Sequence, residues 1–566
     1  MKNASLTRMK VLVLDADSAA GLETIQSLGR SGCTVHAASL HGEQSRCRSR
    51  FVSRQIELAS FDERGIRELV DLFHAENYDL VVPSTEVSLL AMLSPVIPED
   101  MYQRAVLAPR SSIQIALDKQ AVWSLAQRLG VRAPSSRMVS ADSQPPETFP
   151  VVLKPVFSKK STDGMVQGFT VTIARNLTQW KTSLAQTYAN IPVQQQQYIT
   201  GKGLGVEMLF ENGTPRWAFL HERVHELPLT GGGSSYRVSL DLRENLVQSA
   251  TLLLSALHWH GVAMVEYKVA PSGEAYLMEI NPRLWGSLAL AIDCGVNFPV
   301  GLLCLSTGQP LPPQPRYRRG YFTRNIYRDI EWLKANLKAD HSDPLLLTQP
   351  AFPSFLEWLR PLAGKESWDF FCWSDPGVII RELTVLIREH WARVVKAVRL
   401  RGLRLYLKHF QQPRVLRRLR QRPIKTVLVL CYGNICRSPL AAAMAAKRFP
   451  NVAFSSAVFY PTAGRRSPEF VIAAAERLGV DLSGHGSKRV DAKMVEEAEL
   501  VVIMDIRNQE LLQEAFPRAR EKALFLGMLL PSPQLEIKDP IDNPDSMPSV
   551  ASTLNQAVEH LKDLLR

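Results

Sequence analysis

The sequence of 566 residues has little of what exported and membrane-embedded proteins contain. Its 7 cysteines are too few and of the wrong parity for a scaffold built on disulfides, and they are typical of a reducing compartment. No stretch reaches the ~18–20 unbroken apolar residues of a membrane span, and residues 1–10 lack the apolar core of a secretory signal. We therefore expect a cytoplasmic location.

Basic and acidic residues are equal in number over most of the sequence, and one segment alone has a large excess of basic residues. The net charge is +12, and residues 381–425 hold 14 Lys and Arg against 2 Asp and Glu, whereas the remainder holds 53 of each sign. Apolar residues recur at helical spacing over residues 383–398 with arginines between them, which predicts a basic amphipathic helix. One interpretation is a solvated face. The other is contact with an anionic membrane surface and a peripheral membrane location. No nucleic acid is expected, because no known reading motif accompanies the charge.

Short apolar strands alternate with helical stretches near the N-terminus, which predicts the α/β class with a parallel sheet. No G-x-G-x-x-G follows the first strand, so the dinucleotide-binding fingerprint is absent. At roughly 150 residues per domain, the length fits several domains. We predict an α/β lobe over residues 1–117, a second domain over 118–310, a helical, basic connecting region over 311–424 and a C-terminal domain over 425–566.

The C-terminal domain opens on an apolar strand and then the run Cys431-Tyr432-Gly433-Asn434-Ile435-Cys436-Arg437-Ser438-Pro439, followed by an Ala-rich helix. Five residues between Cys431 and Arg437 let successive backbone N–H groups curl inward and bind an anion at the helix N-terminus. Arg437 can grip two phosphate oxygens. That positive field favours Cys431 as a thiolate that attacks phosphorus, and the leaving alcohol then needs a proton from a carboxylic acid.

This run resembles the phosphate-binding loop of the low-molecular-weight protein tyrosine phosphatases, as do His485, the strand at 500–503 and Lys538-Asp539-Pro540. The resemblance implies a doubly wound parallel sheet over residues 425–566. It implies that Cys431 is the nucleophile, Arg437 the phosphate clamp and Asp539 the general acid. By the same resemblance, further residues support the loop: Gly433, Asn434, Ser438 and Cys436, the last able to form a reversible disulfide with Cys431.

The chain departs from this family after Pro540. Aromatic residues that often seat a phenyl phosphate are replaced by Ile541-Asp542-Asn543-Pro544-Asp545. Acidic residues at a pocket mouth repel acidic substrates, so a phosphoprotein and a smaller phosphomonoester stay open as substrates.

A second group of polar residues lies near the middle of the chain. Glu279 and Asn281 are two apart on a predicted strand, so their side chains share a face. Glu266 precedes Glu279 by 13 residues and falls on the neighbouring strand of a hairpin that turns at 271–273. Three oxygen ligands on one face suit Mg²⁺ beside phosphates. Lys154 ends a strand before residues 158–164, which we expect to form a flexible loop over nucleotide phosphates.

From about residue 10 to past residue 300 the chain resembles ATP-grasp ligases, with ATP held between two α+β lobes and Mg²⁺ as cofactor. The run Asn281-Pro282-Arg283-Leu284-Trp285-Gly286-Ser287 is similar to the carbamoyl-phosphate-synthase-like carboxylate–amine ligases. The resemblance implies several roles. These are phosphate contacts from Lys119 and Lys154, an adenine hinge at Gln197, Tyr198 and Ile199, metal ligands Glu266, Glu279 and Asn281, acyl-phosphate stabilisation by Arg283, and substrate contacts from Arg223 and Arg237.

Two phosphate-handling sites on one chain predict a bifunctional enzyme. One half joins a small-molecule carboxylate to an amine through an acyl phosphate, and the other hydrolyses a phosphomonoester through a phosphocysteine. Two alternatives stay open: a tyrosine phosphatase regulated by a nucleotide-binding ATP-grasp module, and a scaffold with one inactive site.

Overall fold

The structure is a computed structural model that describes residues 9–39, 49–58, 60, 62–162, 165–541 and 543–565. It divides into two compact units, residues 1–386 and 387–566. The boundaries that we predict at 117, 310 and 424 stay predictions. Two residues of the expected nucleotide loop, Asp163 and Gly164, lie outside the described residues, as does Asp542.

The first unit begins with the predicted α/β lobe. Its elements are β1 (Lys10–Leu14), α1 (Ala19–Arg30), β2 (Thr34–Ser39), β3 (Val52–Glu57), α2 (Glu63–Glu76), β4 (Leu80–Pro83), α3 (Glu86–Met92), α4 (Glu99–Arg104) and α5 (Arg110–Leu117). The strands form a parallel sheet in the order β3-β2-β1-β4. Residues 11–14 of β1 are fully buried because helices cover both faces of the sheet.

A small antiparallel sheet follows. Its elements are α6 (Lys119–Arg128), β5 (Ser136–Val139), β6 (Val151–Pro155), β7 (Lys159–Thr162), β8 (Met165–Gly168), β9 (Thr172–Ala174), α7 (Leu177–Thr182) and β10 (Val193–Gln197). The sheet order is β5-β10-β6-β9, with β7 and β8 as a separate antiparallel ribbon. The ribbon differs from the flexible loop that we expect over 158–164, because the four residues of β7 pair with the four residues of β8.

The remainder of the first unit is built on a large sheet. Its elements are β11 (Lys202–Glu211), β12 (Thr214–Leu227), β13 (Gly233–Leu240), α8 (Glu244–Ala256), β14 (Gly261–Val269), β15 (Ala275–Asn281), α9 (Leu288–Cys294), α10 (Phe298–Thr307), β16 (Phe322–Arg324), α11 (Ile326–Lys338), α12 (Ala351–Leu356) and β17 (Glu366–Trp368). The order is β15-β14-β11-β12-β13-β16-β17. Two of these strands, β16 and β17, come from the predicted connecting region and extend the same sheet.

A long helix, α13 (Pro376–Tyr406), runs from the first unit into the second. The second unit continues with α14 (Gln412–Leu419), β18 (Thr426–Cys431), α15 (Arg437–Arg448), β19 (Ala453–Val458), α16 (Glu469–Arg477), α17 (Ala492–Glu497), β20 (Leu500–Ile503), α18 (Ile506–Ala515), β21 (Ala523–Phe525) and α19 (Met547–Glu559). Its strands form a parallel sheet in the order β19-β18-β20-β21 between helices.

The stretch before β18 belongs to the helical, basic connecting region that we predict, and the structure shows that it packs into the second unit. Residues 412–419 are helical, and Val415 and Leu419 are buried in the core of the second unit. The Gln412 side chain donates to the carbonyl of Ala523 and accepts from the backbone N–H of Phe525, which ties α14 to β21. The helix buries its apolar face in the core, and its arginines lie on the other face.

Among the described residues, none of the helices taken singly has both the length and the apolar character to cross a membrane. The bent pair α9 and α10 meets those two criteria only when its halves are taken together, and they lie at 86° to each other.

Candidate active sites

The first unit contains a cavity of about 1060 Å³ between the small sheet, the large sheet and the carboxyl ends of β1 and β4. Carboxyl ends of neighbouring parallel strands are a common place for ligands in α/β folds. The predicted nucleotide, metal and substrate residues of this unit all line the cavity: Lys119, Lys154, Gln197, Tyr198, Ile199, Arg223, Arg237, Glu266, Glu279, Asn281 and Arg283.

The three oxygen-bearing side chains meet on the β14–β15 hairpin, which confirms the predicted hairpin. Glu266 and Glu279 lie directly opposite each other in the antiparallel register. The Asn281 amide nitrogen donates to Glu266 over 2.9 Å and to Glu279 over 3.4 Å. Because the amide nitrogen is used in this way, the Asn281 oxygen is left as an acceptor beside two carboxylates.

Two lysines lie beside these carboxylates. The Lys154 ammonium donates to the carbonyl of Met278 over 3.1 Å and lies 3.7 Å from Glu279. The Lys119 ammonium donates to the Ser158 hydroxyl over 2.6 Å, and burial lowers its pKa. Burial disfavours the charged form of Glu279, but the nearby charges of Lys154 and Lys119 outweigh it and lower the pKa of Glu279 to about 2. Two lysine cations therefore lie beside the carboxylates of the hairpin.

The predicted adenine hinge follows β10, and its path depends on Gly201. Gln197 donates its backbone N–H to the carbonyl of Ser135, which fixes the end of the strand. Gly201 has a φ of 146°, and a Cβ built there would lie 2.1 Å from the carbonyl oxygen of Val269. Only glycine allows the hinge to approach β14 so closely.

The arginines of the cavity have different partners. Arg223 forms an ion pair with Glu266 and donates to the carbonyl of Gly232. Arg283 donates to the carbonyl of Leu284. Arg237 is buried, and its guanidinium bonds Asp369 and Thr323. The guanidinium of Arg237 is thus held by protein groups, whereas a direct contact between it and substrate stays a prediction.

Sequence reasoning missed four charged residues of this cavity, Glu86, Arg175, Lys268 and Arg328. Lys268 could have been found, because it lies two residues after Glu266 on the same strand and so shares its face. Glu86 begins α3 after a parallel strand. Burial raises the pKa of its carboxyl, although the nearby charge of Arg283 lowers it. Arg328 lies on α11 in the connecting region, where the sequence gives no functional pattern.

In the second unit, the strand–loop–helix arrangement predicted around Cys431 is confirmed. Cys431 ends β18, Arg437 begins α15, and both are buried. The Cys431 sulfur accepts a hydrogen bond from the backbone N–H of Asn434 at 3.1 Å and another from the Ser438 hydroxyl at 3.0 Å. Two hydrogen-bond donors therefore converge on the sulfur.

Asn434 has a left-handed backbone, with a φ of 47°, and every polar part of it is used. Its amide nitrogen donates to the Ser438 hydroxyl, and its amide oxygen accepts from the backbone N–H of Lys488. Its carbonyl is 2.8 Å from Nε2 of His485. These bonds connect His485 to the loop motif, because His485 and the Asn434 side chain both hold the turn at Asn434.

The Arg437 guanidinium bridges two loops that follow other strands. It lies 2.7 Å from Asp505, 2.8 Å from the carbonyl of Ile537 and 2.5 Å from Asp539. Burial opposes its charge, but Asp539 and the Cys431 sulfur favour it, and the pKa of Arg437 is raised. The predicted clamp and the predicted acid thus lie together, although they are 102 residues apart in sequence.

Cys436 differs from Cys431 in its surroundings. Both are free thiols. Burial, with a contribution from the charge of Asp539, raises the pKa of Cys436 to about 12. The disulfide between the two residues stays a prediction.

Two aromatic rings, one of them within the Cys431 loop, and two arginines lie together here, and sequence reasoning assigned none of them a role. Tyr432 and Tyr460 are in edge-to-face contact, with centroids 5.7 Å apart. Arg507 lies 3.6 Å above the Tyr432 ring, and Arg465 lies 4.9 Å above the Tyr460 ring. Because the arginines come from separate segments, no local pattern indicates that they meet. This face therefore carries positive charge. Its sign is the reverse of the negative charge that residues Ile541–Asp545 predict for the pocket mouth.

Comparison with known proteins gives matches to two families. Residues 195–326 match the family described as ATP-grasp in the biosynthetic pathway with Ter operon. Residues 426–566 match the low molecular weight phosphotyrosine protein phosphatase family. The low molecular weight protein-tyrosine-phosphatase Ptp of Acinetobacter johnsonii is 33% identical over 103 residues, which are 18% of this chain and 72% of that protein.

A second relative is the probable low molecular weight protein-tyrosine-phosphatase EpsP of Ralstonia nicotianae, 32% identical over 117 residues, which are 21% of this chain and 79% of that protein. Among solved structures, the L-amino acid ligase from Bacillus licheniformis is 17% identical with a TM-score of 0.42, covering 56% of this chain and 78% of that one. The chain therefore carries an ATP-grasp domain and, through its C-terminal domain, belongs to the low molecular weight phosphotyrosine protein phosphatase family.

Proposed function

We propose that the chain is a bifunctional enzyme. Its ATP-grasp half joins a small-molecule carboxylate to an amine at the expense of ATP, through an acyl phosphate. Its phosphatase half hydrolyses a phosphomonoester, including a phosphotyrosyl side chain, through a phosphocysteine. The observation that carries the proposal is that both sets of residues are assembled: the oxygens and lysines around one cavity, and the donors around the Cys431 sulfur.

The residues of the first cavity fit Mg²⁺. Glu266 and Glu279 face each other across a hairpin, and the Asn281 amide leaves its oxygen as an acceptor beside them. Two carboxylates and one amide oxygen, completed by phosphate oxygens, are a common donor set for this ion. When bound, Mg²⁺ neutralises charge on the phosphates.

The chain's own residues then divide the remaining work. Lys119 and Lys154 lie on the phosphate side of the cavity and neutralise the transferred phosphoryl group. Residues 197–199, which line the same cavity, orient the base. Arg283, beside Glu86, stabilises the acyl phosphate as the amine attacks. Closing this cavity to water protects an acyl phosphate from hydrolysis.

The phosphatase half follows from the loop geometry. The Cys431 thiolate attacks phosphorus, so that an S–P bond forms and the P–O bond to the alcohol breaks, while Asp539 gives the leaving oxygen a proton. Water then attacks the phosphocysteine, Asp539 takes its proton, the S–P bond breaks and the thiolate returns. Arg437 holds the phosphoryl oxygens throughout; its buried Nε has no hydrogen-bond partner among the described residues, which leaves a donor for an oxyanion.

Two substitutions in the full-length protein test the two halves separately. Cys431→Ser should abolish hydrolysis of p-nitrophenyl phosphate and leave calorimetric binding of Mg·ATP unchanged. Glu279→Gln should weaken Mg·ATP binding and leave phosphatase activity unchanged. Each variant is thus the folding control for the other.

The ligase chemistry itself needs a substrate screen. ADP release should appear with one pairing of carboxylate and amine and be lost in Glu279→Gln. Hydrolysis that survives Cys431→Ser would refute the phosphatase half. Mg·ATP that gates the phosphatase rate, with no ligated product from any pairing, would refute the ligase half and favour a regulatory module.

A further inference from the structure

The helix α13 carries a row of apolar side chains that the protein leaves in solvent. Ile387, Trp391, Val394 and Val398 are spaced four, three and four residues apart and so share one helix face. Their exposed fractions are 66%, 68%, 51% and 66%. We call these four residues the apolar stripe. Leu405 continues the same face two turns further on and is also exposed. Apolar side chains at this spacing normally face a core.

The apolar stripe is bordered by positive charge. Residues 387–425 hold 13 Lys and Arg and one acidic residue. On α13, Arg388 borders the stripe near its start, Arg399 directly follows its last residue, and Arg401 comes next on the same face. Two of the other cations have acidic partners on the surface of the same unit: Arg404 contacts Glu536 and Arg418 contacts Glu521. The helix therefore combines an uncovered apolar face with basic flanks.

We propose that the apolar stripe inserts into the interface of an anionic lipid membrane, with the flanking arginines on the lipid headgroups. An amphipathic helix with a Trp and β-branched residues on one face and arginines beside it is the type of helix that lies in the plane of such an interface. Trp391 occupies the centre of the stripe, and tryptophan prefers the headgroup region. The proposal concerns where the protein binds and is independent of either catalytic activity.

A second copy of the chain is the competing occupant, and the sequence argues against it. The spacing of the apolar stripe also fits the core positions of a coiled coil, but Arg401 holds the next core position. The positions that border that core are Arg388, His390, Val395, Ala397, Gly402 and Arg404. None is acidic, so two copies would bring like charges together, whereas an anionic surface neutralises them.

The test is sedimentation of the full-length protein with lipid vesicles. Binding should occur with phosphatidylcholine vesicles that contain phosphatidylglycerol, not with phosphatidylcholine alone, and should weaken roughly tenfold between low salt and 0.5 M NaCl. Trp391→Ser with Val398→Ser, and separately Arg388→Gln with Arg399→Gln and Arg401→Gln, should each reduce the bound fraction at least about fivefold. The far-ultraviolet circular dichroism and melting temperature of these variants should match those of the parent protein, which shows that they fold.

Matched controls are Leu252→Ser, an exposed apolar residue of α8, and Arg477→Gln, an exposed arginine of α16. These should leave vesicle binding unchanged. The proposal is overturned if the parent protein does not sediment with the anionic vesicles, or if binding survives both sets of α13 substitutions. It is also overturned if light scattering shows a dimer that Trp391→Ser with Val398→Ser dissociates while vesicle binding persists.

Discussion

The Ser438 hydroxyl lies 3.0 Å from the Cys431 sulfur and, since it accepts from the Asn434 amide, has its own proton left to give to that sulfur. Ser438→Ala should therefore slow the step in which the thiolate leaves phosphorus. A hydrogen bond to a charged group contributes about 1.5–3 kcal/mol, so we expect kcat for p-nitrophenyl phosphate to fall about tenfold or more. Ser483→Ala, at an exposed serine of the same unit, should leave kcat unchanged, and equal rates in the two variants would contradict the assignment.

Asp539 and Asp505 both contact Arg437, but only Asp539 is assigned the proton transfer. Asp539→Asn should lower kcat/KM, which reports the steps up to release of the alcohol, about a hundredfold for phenyl phosphate, a poor leaving group, and much less for p-nitrophenyl phosphate, because general acid catalysis matters most when the leaving alkoxide is basic. Asp505→Asn removes an ion pair at 2.7 Å from the same guanidinium and keeps a capping side chain for α18. It should affect both substrates equally, and the same loss in both variants would mean that Asp539 only positions Arg437.

The difference between these two loops shows what the sequence could and could not predict. The Cys431 loop and the Glu266–Glu279 hairpin are local, since a strand, a turn and a helix or second strand follow one another within about 15 residues, and their geometry follows from periodicity and turn residues. The proximity of Arg437 and Asp539 could be predicted only from the resemblance to a known family.

Residues brought together by the sheet order left no local signal. Arg507 reaches Tyr432 from 75 positions away. Arg237 on β13 meets Asp369, which follows the edge strand β17, and the sequence left both β16 and β17 unassigned. A charged residue that is buried against a partner and one that faces substrate look alike in sequence, which is why the substrate contact of Arg237 could not be decided there.

The pKa of Cys436, raised to about 12, predicts a difference in reactivity between the two cysteines of the loop. At pH 7.5 a thiol with so high a pKa stays protonated, and thiols react far more slowly than thiolates. Iodoacetamide at pH 7.5 should modify Cys431 and leave Cys436 intact, as read by peptide mass spectrometry. Because a raised pKa protects only below its value, modification of Cys436 should begin as the pH approaches 12. Equal modification of both residues at pH 7.5 would contradict this picture.

Gly201 predicts a sharp substitution effect in the ATP-grasp half. A Cβ at this position collides with the carbonyl of Val269, so Gly201→Ala must displace the hinge from β14. We expect calorimetric affinity for Mg·ATP to fall about tenfold or more, since both strain and displacement act on the base-binding segment. Gly273→Ala is the matched control: its φ is also positive, but nothing lies within 4 Å of the added Cβ. It should keep the affinity, and an equal loss would mean that backbone strain alone is responsible.

The cations stacked on Tyr432 and Tyr460 predict which phosphotyrosyl peptides the phosphatase half prefers. Arg465 and Arg507 place positive charge beside the Cys431 loop, so acidic residues flanking the phosphotyrosine should be favoured. Arg465→Gln with Arg507→Gln should lower kcat/KM about fivefold for a peptide with Asp and Glu flanks, the range for exposed charge pairs. The same change should leave kcat/KM unaltered for a peptide with Ala flanks and for p-nitrophenyl phosphate, as should Arg477→Gln for all three. If the parent protein dephosphorylates the acidic peptide no faster than the neutral one, the two arginines only pack on the rings and do not select the substrate.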